Sequence, residues 1–156
     1  MQTGTQGDSV MAYLQADHER LDGLIETART SAHGGDMDSA ARHFSEFRDG
    51  LLRHIRIEEE MVFPEFERAT DLDPASGPTG VMRHEHVEIT RLLDLIHDLF
   101  SGPRPGAEAF ERLHGTLVPL LQEHNAKEER ILYPMTDRMV APPRLKDLVN
   151  RMRAFR

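Results

Sequence analysis

The sequence of 156 residues contains no cysteine and no tryptophan. Disulfide bonds, thiolate metal sites and thiol nucleophiles are therefore excluded, and the missing thiols suit a reducing compartment, so we expect a cytoplasmic protein. No run of about 18 apolar residues occurs, and residues 1–10 lack the apolar stretch of a signal peptide, so we expect no membrane segment. The net charge of −8 argues against nucleic acid as the main partner.

Helical periodicity is the main structural signal. Four segments place apolar residues three and four positions apart, which predicts helices that each bury one face. Asp8 or Ser9 is expected to cap the first helix, Asp36 and Thr79 are expected to cap two later ones, and Gly34-Gly35 is expected to end the first helix. Four helices of about 25 residues with short connectors favour an all-α fold, an antiparallel up-down-up-down four-helix bundle.

The predicted organisation is simple because the length suits one domain. We expect a flexible lead over residues 1–8, the bundle over 9–140 and a short C-terminal amphipathic helix over 141–156. Pro64 is expected to end or kink the second helix, because proline has no N–H and clashes with the preceding turn.

A sequence motif occurs twice within these helices. His54 and Glu58 recur as His124 and Glu128, and each pair stands four residues apart, on one helix face and about 6 Å apart along the axis. Each copy ends in an aromatic residue and a proline, and each is preceded by an acid-histidine pair. These flanking pairs are Phe63-Pro64, Tyr133-Pro134, Asp17-His18 and Glu85-His86.

The repeated side chains fall on the faces that the pattern assigns to the core. A buried carboxylate is costly unless it is paired, protonated or bound to a metal. Imidazole and carboxylate are good ligands for iron, manganese or zinc. Four histidines and two carboxylates are enough to hold two metal ions and leave room for a small ligand.

These motifs resemble those of the hemerythrin-like, or HHE cation-binding, family. The resemblance covers residues from about 11 to 140 and implies a four-helix bundle with a non-haem di-iron centre. It implies that the four histidines are terminal iron ligands and that the two glutamates bridge the irons, together with an oxo or hydroxo group or water. The implied metal ligands are His18, His54, Glu58, His86, His124 and Glu128.

One position departs from the oxygen-carrying members of that family, which have a fifth histidine one turn before the residue matched to His86. Met82 stands there, and His84 points about 200° away from His86 around the helix. The chain therefore looks like the four-histidine, two-carboxylate members, which implies binding of, or reaction with, dioxygen, peroxide or nitric oxide rather than reversible oxygen carriage.

Other interpretations stay open at this stage. An oxygen- or iron-responsive sensor or iron-handling module without turnover is the main alternative, and a hydrolytic zinc site suits the ligand set less well. A ferritin-like site would need Glu-x-x-His, which is absent from the core positions. The oligomeric state is open between monomer and homodimer.

Residues beside the ligands have open roles as well. Asp17 and Glu85 either orient ligands or lie at a solvated edge, whereas Glu59 and Glu129 are expected to be surface acids. Tyr13 and Tyr133 either close the bundle end, or they fill an open iron site or hydrogen-bond a bound ligand.

Overall fold

The computed structural model describes residues 8–103 and 106–156, and that part of the chain is all-α, with no strand. Most of the predicted lead at residues 1–8 lies outside the described residues. The α-helices are α1 (Val10–His33), α2 (Met37–Ile57), α3 (Phe63–Thr70), α4 (Pro78–Ser101), α5 (Ala107–Lys127), α6 (Tyr133–Met139) and α7 (Pro142–Ala154). Two π-helical turns, Glu58–Val62 and Glu128–Leu132, join α2 to α3 and α5 to α6.

Both ends of α1 and the start of α2 lie where the capping residues and the glycines in the sequence predict them. The Ser9 hydroxyl accepts a hydrogen bond from the Ala12 N–H at 2.9 Å and caps α1. Beyond the end of α1, Gly35 takes a φ of +83°, a conformation open to glycine but strained for other residues. The Asp36 carboxylate then accepts from the Ser39 N–H at 3.0 Å, which satisfies a free donor of α2.

The predicted cap at Thr79 is wrong. The helix α4 begins at Pro78, two residues earlier than a cap at Thr79 implies, and Gly77 occupies the capping position without a side-chain bond. Thr79 is buried, and its hydroxyl donates to Glu67 Oε2 at 2.6 Å. Arg83 donates to the same carboxylate, so Thr79 ties α4 to α3 instead of capping α4.

Pro64 does not end its helix, because the chain passes through a π turn just before it. The Phe63 N–H donates to the carbonyl of Glu58, five residues back. In the second copy, the Tyr133 N–H donates to the carbonyl of Glu128 in the same way. The wider turn lets the chain continue as α3 and α6, with each proline in the first turn of its new helix, where a missing N–H costs little.

The long helices pack around two apolar clusters. α1 contacts α2 and α5, and α4 contacts α5 and α2. The first cluster includes Leu21, Leu51, Ile89 and Leu121, and the second includes Leu14, Ile57, Met82 and Leu132. Each long helix carries one of the four candidate histidine ligands, at a position between a residue of the first cluster and a residue of the second. The four histidines therefore form a polar layer between the two clusters.

The C-terminal helix α7 covers the second cluster. Its buried side chains are Leu148, Val149 and Met152. The Arg53 guanidinium on α2 donates to the carbonyl of Phe155 at 2.8 Å, and Arg144 donates to Glu65 Oε1 at 2.9 Å. α7 also contacts the first π turn and α1. None of the helices in the described ranges combines the length and apolarity that crossing a bilayer requires.

Candidate metal centre

Four histidines, one from each long helix, meet in the polar layer. All four are buried, with 2–4% of each residue exposed. The rings of His18 and His54 lie 4.7 Å apart, and those of His86 and His124 lie 4.9 Å apart. The layer therefore contains two histidine pairs, one from α1 and α2 and the other from α4 and α5.

The two repeated glutamates are fully buried and each spans both histidine pairs. Glu58 Oε1 lies 3.5 Å from His54 Nε2 and 3.3 Å from His86 Nε2. Glu128 Oε1 lies 3.4 Å from His18 Nε2 and 3.3 Å from His124 Nε2. A carboxylate that reaches one nitrogen of each pair has the placement that bridging two cations requires.

The outward nitrogens of two histidines are held by the acids that precede the repeats. Asp17 Oδ2 lies 2.9 Å from His54 Nδ1, and Glu85 Oε1 lies 2.9 Å from His124 Nδ1. A carboxylate on Nδ1 fixes the N–H there, so that Nε2 turns its lone pair toward the centre. Of the two roles considered for these acids, the structure favours the orienting one.

Glu59 and Glu129 were expected to be ordinary surface acids, and that prediction is wrong. Glu59 Oε1 lies 3.4 Å from His86 Nδ1, and Glu129 Oε2 lies 3.5 Å from His18 Nδ1. Both acids are only partly exposed. The acid of the first repeat thus faces the histidine that precedes the second repeat, and the acid of the second repeat faces the histidine that precedes the first. Every histidine of the layer therefore has a carboxylate near its outward Nδ1 atom.

The electrostatics of the layer favour bound positive charge. Burial alone lowers the pKa of His86, but the adjacent carboxylates of Glu58 and Glu59 raise that pKa to about 10. Burial and the neighbouring Glu128 charge raise the pKa of Glu58. Burial disfavours the charge of Glu128, yet the neighbouring Glu58 and histidines hold its pKa well below the usual range. Protons therefore bind where cations would bind, and the two compete.

Several buried polar atoms of the layer have no hydrogen-bond partner among the described residues. They include His86 Nε2, Glu58 Oε1 and Glu128 Oε2. A buried acceptor without a partner is costly, and a coordinated cation removes that cost. The donor set, nitrogen and carboxylate oxygen without sulfur, suits iron, manganese or zinc.

The possible ligand atoms fall into two groups, and within each group they all lie within 4.8 Å of one another. The first group contains His18, His54 and Glu128, and the second contains Glu58, His86, His124 and Glu128. Each side chain named from the sequence as a possible ligand is present in one of these groups. The structure therefore brings all six together.

Tyr133 reaches the middle of the layer, and sequence reasoning did not fix its role. Its hydroxyl lies 2.8 Å from Glu58 Oε2 and 3.0 Å from Glu128 Oε1. It also lies 3.3 Å from the Nε2 atoms of His18 and His54. In an ordinary α-helix a residue five positions after Glu128 would point about 140° away from it. The π turn brings Tyr133 back over the carboxylate, and the repeated proline was the sequence signal for that turn.

The remaining candidates lie outside the centre. His84 is exposed, as its helical angle predicted, and Met82 and Leu14 are buried in the apolar cluster beside the layer. The Tyr13 hydroxyl accepts a hydrogen bond from Arg53 rather than facing the histidines. His114 is buried against Phe110, with 5.8 Å between the ring centroids.

The family model for the hemerythrin HHE cation binding domain matches residues 9–136. The chain therefore belongs to the hemerythrin-like family of cation-binding domains, which confirms the resemblance seen in the repeats and implies iron binding of the hemerythrin type.

Among individual relatives, the chain is similar to proteins named iron-sulfur cluster repair protein YtfE. It is 28% identical to that of Edwardsiella ictaluri over 136 residues, covering 80% of this chain and 61% of the relative. It is 30% identical to that of Musicola paradisiaca over 92 residues, covering 55% and 41%. The chain thus spans about three fifths or less of the length of these relatives. No solved structure matches.

Proposed function

We propose that the polar layer holds two iron ions. His18 and His54 would bind one ion, His86 and His124 the other, and Glu58 and Glu128 would bridge them. The placement of each buried carboxylate across both histidine pairs carries this proposal. The buried acceptors without partners and the sulfur-free donor set support it.

We also propose that α1, α2, α4 and α5 form an antiparallel, up-down-up-down four-helix bundle over residues 9–140, with α7 docked against it. The contacts of α1 with α2 and α5, and of α4 with α5 and α2, support a closed ring of four helices. One histidine then comes from each helix at the same level, which is the placement that two metal ions at the bundle centre need.

The function that we propose for this centre is binding of, or reaction with, small oxidising or nitrosative molecules such as dioxygen, peroxide or nitric oxide. Iron bound there would supply electrons to such a molecule. The chain would exclude water with Leu14 and Met82, and it would fix the histidines through the acids on their outer nitrogens. Because Met82 stands where a fifth histidine would be, one coordination position of the iron centre would have no nitrogen ligand from the protein.

A test starts from full-length protein reconstituted with ferrous iron without oxygen. Addition of nitric oxide, hydrogen peroxide or oxygen should change the absorption spectrum, and the double variant Glu58→Ala/Glu128→Ala should show no such change. The double variant His33→Ala/His84→Ala is a matched control, because both residues are exposed histidines outside the layer. Iron-loaded wild-type protein whose spectrum responds to none of the three molecules would refute this function.

A second candidate function is an iron- or oxygen-responsive module without turnover. The observation that favours it is the contact of α7 with the first π turn, the segment that contributes Glu58. Repair of iron-sulfur clusters, the activity in the names of the relatives, would be one form of iron handling. This candidate predicts that iron loading slows amide exchange in α7, and equal exchange with and without iron would rule it out.

A further inference from the structure

The two repeats differ at one position that matters for the centre. Five residues after the bridging carboxylate, the first repeat has Phe63 and the second has Tyr133. Both side chains are fully buried. The Phe63 ring stacks on His86 with centroids 5.8 Å apart, and the Tyr133 ring lies 5.7 Å from His18. The two aromatic residues therefore occupy corresponding places, one beside each histidine pair, and only one of them has an oxygen.

The aromatic residues, and not the histidines or glutamates, make the two ligand groups different. The group around His86 and His124 includes both carboxylates, so it offers four donors. The group around His18 and His54 includes Glu128, and Glu58 Oε1 also lies 3.5 Å from His54 Nε2, so with both bridging carboxylates this side offers four donors as well. The Tyr133 hydroxyl lies 3.3 Å from each of those two histidines and 3.0 Å from Glu128. It is therefore placed as a fifth donor on the side of His18 and His54, whereas Phe63 supplies no donor on the other side.

The hydroxyl also has too many partners for one proton. A phenol donates a single hydrogen bond, but two carboxylate oxygens, which can only accept, lie 2.8 and 3.0 Å from it. Bound dications change this balance, because they are the largest local charges and favour an anionic oxygen beside them. A tyrosine oxygen is an established kind of ligand for protein-bound iron.

We propose that the phenol oxygen of Tyr133 is a protein ligand of the ion held by His18 and His54. The O–H proton leaves to solvent as the oxygen-iron bond forms, and no electron is transferred in that step. The small molecule then binds the other ion, on the His86 side, where Phe63 offers no donor. This inference rests on the proposed di-iron centre and adds an asymmetry to it.

The test is the absorption and resonance Raman spectrum of the full-length protein in its ferric form, together with its iron content. A tyrosine oxygen on ferric iron gives a charge-transfer band in the visible region, and excitation in that band enhances ring vibrations of the tyrosine. We expect wild-type protein to show the band and Tyr133→Phe to lose it, while circular dichroism and iron content stay near the wild-type values. Replacing the other tyrosine, Tyr13→Phe, is the control and should keep the band.

Phe63→Tyr is the matched variant on the other side. It should strengthen the visible band, and it should abolish the spectral change that azide, used as a small anionic probe, causes in wild-type protein. Iron-loaded wild-type protein without the visible band would overturn the inference and leave the di-iron proposal intact. Azide that displaces the tyrosine band would place the open position on the His18 side and would also overturn it. A chain that takes up no iron would overturn both proposals.

Discussion

Asp17 offers the sharpest test of how the centre is built. Its carboxylate lies 2.9 Å from His54 Nδ1 and is mostly buried, with 11% of the side chain exposed. If it fixes the imidazole so that Nε2 faces the metal, its loss must weaken iron binding although it touches no iron. Removing such a partner typically costs 10- to 100-fold in metal affinity.

Two variants at this position separate the charge of Asp17 from its hydrogen bond. Asp17→Asn keeps an acceptor oxygen for His54 Nδ1 and loses only the charge, so we expect about a tenfold loss, or roughly 1.4 kcal/mol. Asp17→Ala removes the acceptor as well, so we expect about a 100-fold loss. The loss of the ion pair with Arg20, which is half exposed, should contribute little to stability.

The repeat supplies a second copy of this experiment. Glu85 Oε1 lies 2.9 Å from His124 Nδ1, so Glu85→Gln should also cost about tenfold. Glu85 also binds Lys127, so Lys127→Met measures that ion pair alone and should leave iron affinity unchanged. Glu88→Gln is the general control, because Glu88 is exposed and pairs with the exposed Arg91 one turn further along α4.

The assay is anaerobic titration with ferrous iron against a chromophoric chelator, with circular dichroism to show that each variant is folded. The expected order of iron affinity is wild type and Glu88→Gln together, then Asp17→Asn, then Asp17→Ala. If both Asp17 variants bind iron as tightly as Glu88→Gln does, the acids behind the histidines do not position them, and this part of the account is wrong.

Three further predictions follow from the buried charges and from α7. The pKa of His86 is raised from 6.5 to about 10, so its contribution to the metal-free fold is complete below about pH 6.5 and is lost as the pH rises toward 10. The melting temperature of metal-free protein should therefore fall as the pH rises over that range. Iron-loaded protein should instead lose iron and stability as the pH falls from 8 to 5. Melting temperatures that do not change with pH in either form would contradict this. Glu128→Gln should lower the iron content per chain, because the amide replaces a fully buried bridging carboxylate, and unchanged metal analysis would count against the bridge. Arg53→Ala removes donors to the carbonyls of Phe155 and Met152, so amide exchange in α7 should accelerate while iron content is unchanged, and exchange as slow as in wild type would mean that Arg53 does not hold α7.

Sequence reasoning located the six candidate ligands because a helix keeps residues four apart on one face. It found the start of α2 at Asp36 because a single side-chain bond decides a cap. It failed at Thr79 because that hydroxyl has a partner on another helix, Glu67, which no local pattern reveals. Tertiary contacts override local preference wherever a buried polar group has a partner distant in sequence.

The π turns account for the other failures at the centre. Sequence reasoning assumed 3.6 residues per turn throughout, which rotates Glu59 and Glu129 toward solvent, and it left the role of Tyr133 open. The real chain inserts a wide turn at Glu58–Val62 and again at Glu128–Leu132, and the side chains that follow are rotated toward the centre. A proline at matched positions in both repeats indicated a break, but it did not reveal that the break would be a π turn within a continuing helix.

The measurement that tests the central claim most directly is iron stoichiometry after anaerobic reconstitution of the full-length chain. The account predicts two irons per chain in wild-type protein, and a loss of iron in His54→Ala and in His124→Ala, one variant for each histidine pair. One tightly bound ion per chain, or two ions that survive both substitutions, would contradict the assignment of the centre to this polar layer.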